Sequence, residues 1–192
     1  MKNDTSIKSK FLLQIGLIVM AVWGLAACYN QNSNAQSNQA RFYAMERNKD
    51  QQFLMDAADM SMEQIKMGQL AQKKSINIDI QEFGIALEEG HTKLLNDLMP
   101  LAKSKSVTMP SALMDKSQQA YNQLNMTAIN YFNKAYCDIA VSRHQEAIAK
   151  FQKAATESAE DDIKRWAVSK LPELRRLLDL AIATQKKFEP MK

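Results

Sequence analysis

The chain is short of the residues that staple, pleat or charge a protein. Two cysteines in 192 residues cannot build a disulfide framework, and neither stands in a CxxC pair or at a His/Cys spacing suited to zinc. From Cys28 onward there are three glycines (Gly68, Gly84, Gly90) and three valines against 21 alanines, a balance that favours helix over strand. No run shows the strict period of two that a half-buried strand needs. Charge of one sign is also missing: 25 Lys and Arg stand against 21 Asp and Glu, a net +4, of which the first ten residues supply +2. Phosphate affinity needs a basic face, so nucleic acid is excluded as the expected partner. There is no nucleophile elbow, no phosphate-binding glycine loop and no HExxH, so no enzyme class is indicated.

What is present begins with an address. Lys2, Lys8 and Lys10 form a positive n-region, and Phe11 to Trp23 is a 13-residue apolar run, within the range of a signal-peptide core and short for a membrane span. Leu25-Ala26-Ala27-Cys28 follows directly. This tetrapeptide resembles the lipobox of bacterial lipoproteins, in which the cysteine is acylated on sulfur, freed by cleavage and acylated on its new amine. The resemblance implies palmitate-type lipidation of Cys28, a mature chain of 165 residues, and stable anchoring, since two or more acyl chains hold where one is marginal. Tyr29 rather than Asp follows the cysteine, which in Gram-negative lipoproteins implies the outer membrane, facing the periplasm. Residues 29–40 hold four Asn, three Gln and two Ser and read as a tether, because they cannot bury enough surface to offset their ordering entropy.

Four segments with helical periodicity follow, at about 49–74, 78–103, 127–157 and 160–187, with a short helix over 111–124 after a break at 104–110. Asn77 or Asp79 is the expected cap of the second, Thr127 of the third and Ser158 of the fourth. The expected fold is all-α: a four-helix bundle with a short extra helix between the second and third long helices. The expected organisation is a signal peptide over 1–27, lipidated cysteine and tether over 28–47, and the bundle over 48–188. Core stripes fall at Ile80, Phe83, Leu87, Leu94, Leu98 and Leu101, at Tyr136, Ala140, Ala147, Phe151 and Ala154, and at Ile163, Ala167, Leu171, Leu174, Leu178 and Ala181.

Both histidines of the chain, His91 and His144, lie on these inward faces, which predicts that they approach each other across the core. Glu88, three residues before His91, makes a Glu-x-x-His pair, the spacing of di-iron carboxylate bundles; Glu63 on the first helix is a further carboxylate at the edge of its apolar sector. A second Glu-x-x-His is missing, since Val141 precedes His144 at that spacing. The expectation is therefore a satisfied polar pair with no cofactor, with transition-metal handling by His91, His144, Glu88 and Glu63 as the alternative. Met45, Met55, Met60, Met62 and Met67 crowd the first helix, yet no two are three or four apart, so they do not form a chelating set for Cu(I). Cys137 has no partner once Cys28 is lipidated and reads as an inert buried thiol.

Several short motifs carry a family likeness. Phe53-Leu54-x-x-Ala57-Ala58, Met62-Glu63-Gln64-Ile65 with Gly68-Gln69-Leu70-Ala71, His91-Thr92, Phe132-Asn133-Lys134-Ala135-Tyr136, Arg143-His144-Gln145 and Leu171-Pro172-Glu173-Leu174 occur in order. Together they resemble the domain-of-unknown-function family 4142, over about residues 48–184. The resemblance implies a ferritin-like helical bundle in a bacterial envelope protein and no established reaction. Gly90, Asn133 and Leu177 stand where the family pattern carries Asp, Asp and often His, so candidate ligands are lost at those positions. The expected function is a non-catalytic envelope lipoprotein that binds or supports, anchored to the membrane through Cys28, with its protein partner unspecified.

Overall fold

A computed structural model describes residue 39 and residues 41–188; the signal peptide, Cys28 and residues 29–38 and 40 lie outside the described residues. The bundle lies in the unit that begins at Glu46. Helix α1 covers residues 41–74, and α2 Ile78–Ser104, α3 Asp115–Met126, α4 Ile129–Glu157 and α5 Asp161–Lys186 follow. Among the described residues there is no strand. Helical residues thus occur ahead of the expected 49, in the part of 28–47 assigned to the tether.

One of the expected caps forms as read: Asn77 accepts from the Ile80 N–H at 3.2 Å and starts α2. The other two belong to the preceding helices. Thr127 ends α3, its hydroxyl donating to the Gln123 carbonyl at 2.9 Å, and Ser158 ends α4. Ser158 Oγ still accepts from the Glu160 N–H at 3.3 Å, and the residues leading into α3 and α5 are held from α1. The Asp59 carboxylate accepts from the Met114 N–H at 2.7 Å and from the Ser117 hydroxyl at 2.6 Å. Asp50 accepts from the Ala159 and Glu160 N–H groups at 3.0 and 3.2 Å. Helix starts carry a partial positive charge, so these two buried carboxylates are favourably placed there and tie the approach to each helix to α1.

The cross-helix contacts fix the topology. Asp56 meets Lys150 and Glu63 meets Arg143, so α1 and α4 run antiparallel. Asp97 meets Lys170, and Gly90 faces Leu177, so α2 and α5 do too. Gly68 crosses Gly84 on α2, backbone against backbone. Helices α2 and α4 are therefore parallel and diagonally opposed, and His91–His144 and Phe83–Tyr136 repeat the same offset of 53. Parallel helices need a connection that returns the full length of the bundle. Helix α3 makes that return alongside α1, where Asp59 meets Ser117, Lys66 lies over Tyr121 and Lys74 donates to the Asn125 carbonyl. This is the one-crossover arrangement of ferritin-like bundles.

The core stripes lie where the periodicity placed them, with two adjustments: Leu101 is half-buried beside a buried Ala102, and Leu177 is buried where Leu178 was expected. The core is divided in two. One apolar cluster holds Met67, Ala71, Phe83, Leu87, Tyr136, Ala140 and Leu177; the other holds Leu54, Ala58, Leu94, Leu98, Ala147, Phe151 and Leu174. Between them, at mid-bundle, lies a polar layer.

Candidate functional site

The layer is built from the middle turns of three helices. Helix α1 contributes Ser61, Glu63 and Gln64, α2 contributes His91 and α4 contributes Arg143 and His144. Ser61, Glu63, Gln64, His91 and His144 are all at most 2% exposed, so these five are shut off from solvent, while Arg143 reaches the edge of the layer. The helix α1 residues fall there because Leu54, Ala57, Ala58, Ser61, Gln64, Met67 and Ala71 form one stripe at helical spacing, with polar members in its middle. Ser61 satisfies itself by donating to the Ala57 carbonyl at 2.7 Å.

The expected approach of the two histidines is realised. His91 Nε2 and His144 Nε2 are 3.2 Å apart, with ring centroids at 5.2 Å and planes at 66°. The protons follow from the partners. His144 Nδ1 lies 2.7 Å from the Ala140 carbonyl, which only accepts, so Nδ1 carries the hydrogen and Nε2 presents a lone pair. His91 must then donate from its own Nε2, which leaves its Nδ1 as a buried lone pair without a hydrogen-bond partner. Burial, reinforced by its histidine neighbour, holds His91 well below the usual imidazole range. Burial also lowers His144, against the opposing pull of the Ala140 hydrogen bond.

The carboxylates do not join the pair. Glu63 is interior rather than at an edge, and its Oε1 accepts from Arg143 Nε at 3.2 Å and Nη2 at 3.0 Å. Burial pushes its carboxyl up to about 7 in spite of the guanidinium. Glu88 turns outward to the α1 side, accepting from Gln69 at 2.8 Å and Gln72 at 2.7 Å, and these bonds hold it below the usual carboxylate range. Among the described residues no three His, Cys, Asp or Glu side chains gather as a metal-binding group, so the four expected ligands are not brought together. The one-turn spacing of Glu88 and His91 did not suffice, because Glu88 sits at the margin of the stripe, where Gln69 and Gln72 claim it.

Sequence reasoning passed over Gln64. Its amide nitrogen and oxygen are both buried without partners. A Cβ on Gly68 would face the Gly84 carbonyl and the Glu88 N–H; with α1 and α2 antiparallel, one turn back on α1 sets Gln64 level with His91. The signal was available, since Gln64 lies three and seven residues after Ser61 and Ala57 on the buried stripe. Cys137 is fully buried and burial pushes its thiol up to about 12, which fits an unreactive side chain.

The family described as a domain of unknown function, DUF4142, matches residues 33–184, and the chain belongs to it. Among solved structures, the chain is similar to a DUF305 fragment from Deinococcus radiodurans, at 9% identity and a TM-score of 0.64, over 73% of this chain and 97% of that one. That likeness is one of fold. No curated protein matches the chain.

Proposed function

We propose that this protein is a lipid-anchored, non-catalytic component of the bacterial envelope, held at the outer membrane through Cys28 and presenting its bundle to the periplasm as a binding or supporting module. The observation that carries this reading is Leu25-Ala26-Ala27-Cys28 placed directly after a positive n-region and a 13-residue apolar run. The interior supports the non-catalytic part. Both histidines of the polar layer are shut off from solvent, and the one cysteine of the bundle is buried with a raised thiol. The balanced charge supports a protein or envelope partner over nucleic acid.

The test is Cys28→Ser in the full chain, expressed in a Gram-negative host with labelled palmitate. The expected result is an unprocessed precursor without label, while the parent chain is labelled, cleaved and recovered with the outer membrane. Equal labelling and processing of the two chains would overturn the reading.

A further inference from the structure

We propose that His91 and His144 form a two-coordinate site for one soft monovalent cation of the Cu(I) or Ag(I) class, held between their Nε2 atoms. The site is independent of where the chain is anchored, so it stands or falls apart from the lipid reading.

Three features of the polar layer point to it. The two Nε2 atoms face each other at 3.2 Å from diagonally opposed helices, so an ion between them is approached from opposite sides, as linear coordination requires. His144 already has the outer shell of a ligating imidazole: its Nδ1–H is fixed on the Ala140 carbonyl at 2.7 Å, which sets the ring and leaves Nε2 bare. His91 is free to follow. Its Nδ1 has no partner, so the proton can move from Nε2 to Nδ1 without breaking another bond, and Nε2 becomes a second bare lone pair. The Gln64 carboxamide oxygen, buried and unpartnered in the same layer, offers an acceptor for that proton after a side-chain adjustment.

The ligand count selects the ion. Zinc sites take three or four protein ligands, and calcium and magnesium take oxygen shells of six or more, whereas among the described residues no further His, Cys, Asp or Glu joins this pair. Glu63 is engaged by Arg143 and Glu88 by two glutamines. Two neutral imidazoles bring no charge to offset a divalent ion in a closed core, and burying a single charge costs far less than burying two. Nitrogen–metal bonds of about 2 Å need the rings to part by somewhat under 1 Å. The binding step balances. The ion sheds water and forms two N–metal bonds, one proton moves between the nitrogens of His91, and no proton or electron leaves the protein. Because both rings are buried, loading needs a transient opening of the bundle, and release should be slow.

The experiment is anaerobic loading of the full chain in detergent micelles with Ag(I), the redox-inert probe, followed by desalting against free methionine to strip thioether-bound ion. The parent chain should retain one equivalent. His91→Phe and His144→Phe, which fill the same space without a ligand, should each lose at least ten-fold in retention, and Gln64→Leu should weaken it several-fold without abolishing it. Retention of the full equivalent by both Phe variants, or none by the parent, would overturn the proposal. Should either variant fail to fold by circular dichroism, nitrogen-15 histidine spectra of the loaded parent decide. Both Nε2 signals should shift together while both Nδ1 atoms carry hydrogen, and unshifted rings would overturn it.

Discussion

Adding one methyl group to the α1–α2 crossing should destabilise the bundle, although helix propensity alone says the reverse. None of the described glycines has positive φ, so Gly68 and Gly84 are not required by backbone conformation. They are required by proximity. A Cβ on Gly68 would lie 2.5 Å from the Gly84 carbonyl oxygen, and one on Gly84 would lie 2.7 Å from the Gly68 oxygen and 3.2 Å from Ala71 Cβ. The obstructing atoms are backbone, which cannot rotate away, so the two helices must separate. Exchanging Gly for Ala in a helix interior gains about 1 kcal/mol, while overpacking of a fitted core costs about 1–3 kcal/mol and more when backbone must move. The expected net is a loss of about 1–2 kcal/mol for Gly68→Ala and for Gly84→Ala. Gly90 is the internal control. Its added Cβ would meet side-chain tips rather than backbone, Leu177 at 2.9 Å and a Glu173 oxygen at 3.2 Å. Gly90→Ala should therefore be neutral or stabilising by up to about 1 kcal/mol. Urea unfolding followed by far-ultraviolet circular dichroism reads all three. At slopes of about 1–3 kcal/mol per molar, the first two midpoints should fall by roughly a third of a molar or more. If all three variants rise together, the close crossing does not hold the bundle and the register drawn from it fails.

Two further outcomes follow from the buried carboxylates. Asp50→Ala removes the tie from α1 to the approach to α5 and should cost about 1–2 kcal/mol in the same assay, with Asp50→Asn recovering most of it; an unchanged Ala variant would refute the cross-helix tie. Glu63 carries a carboxyl raised to about 7, above its ordinary value, so it favours the folded state fully below pH 4.5 and loses that contribution as pH rises through 7. The histidines act in the opposite sense: held below the usual range, they cost stability as pH falls through about 6.5. Comparing the parent with Glu63→Gln at each pH cancels the histidine part. The parent's stability relative to the variant should fall by roughly 3 kcal/mol between pH 4.5 and 8, and a flat difference would show that Arg143 keeps the carboxyl ionised throughout.

The helices and their inward faces were legible because period and composition agree: α2 begins and ends within a residue of its expected bounds, and the stripes on α2 and α4 are buried almost throughout. The helix starts were not legible in the same way. Thr127 and Ser158 are good local caps by residue type, but Thr127 closes α3 and α4 starts without a side-chain cap, while the N–H groups of Ala159 and Glu160 ahead of α5 find Asp50, more than a hundred residues earlier in the chain. No local rule reaches that far. The histidine contact was readable because each ring had one apolar face to occupy. Glu63 and Gln64 were harder, since a lone polar residue on a stripe is ordinarily at its edge. Glu63 is accommodated there by Arg143, which arrives from another helix, and Gln64 is buried with no hydrogen-bond partner at all.

The polar layer has a consequence for folding that does not depend on any ligand. The bundle must choose a register between two parallel helices that never meet in a short loop, and an apolar core alone would tolerate a slip of one turn. Here a slip would set His91 against Ala140 or Ala147 in place of His144, leaving both imidazoles without their Nε2 partner. A buried unpaired polar group costs about 1–3 kcal/mol, so the pair discriminates against the neighbouring registers by a few kcal/mol. Apolar substitution at both positions should then keep or raise stability while loosening register, as replacing a buried polar pair often does. His91→Phe combined with His144→Phe separates the two roles. If the pair serves only register, the double variant is stable, shows broadened core resonances, and the parent retains no Ag(I). If the pair also ligates, the same broadening is accompanied by loss of the single retained equivalent.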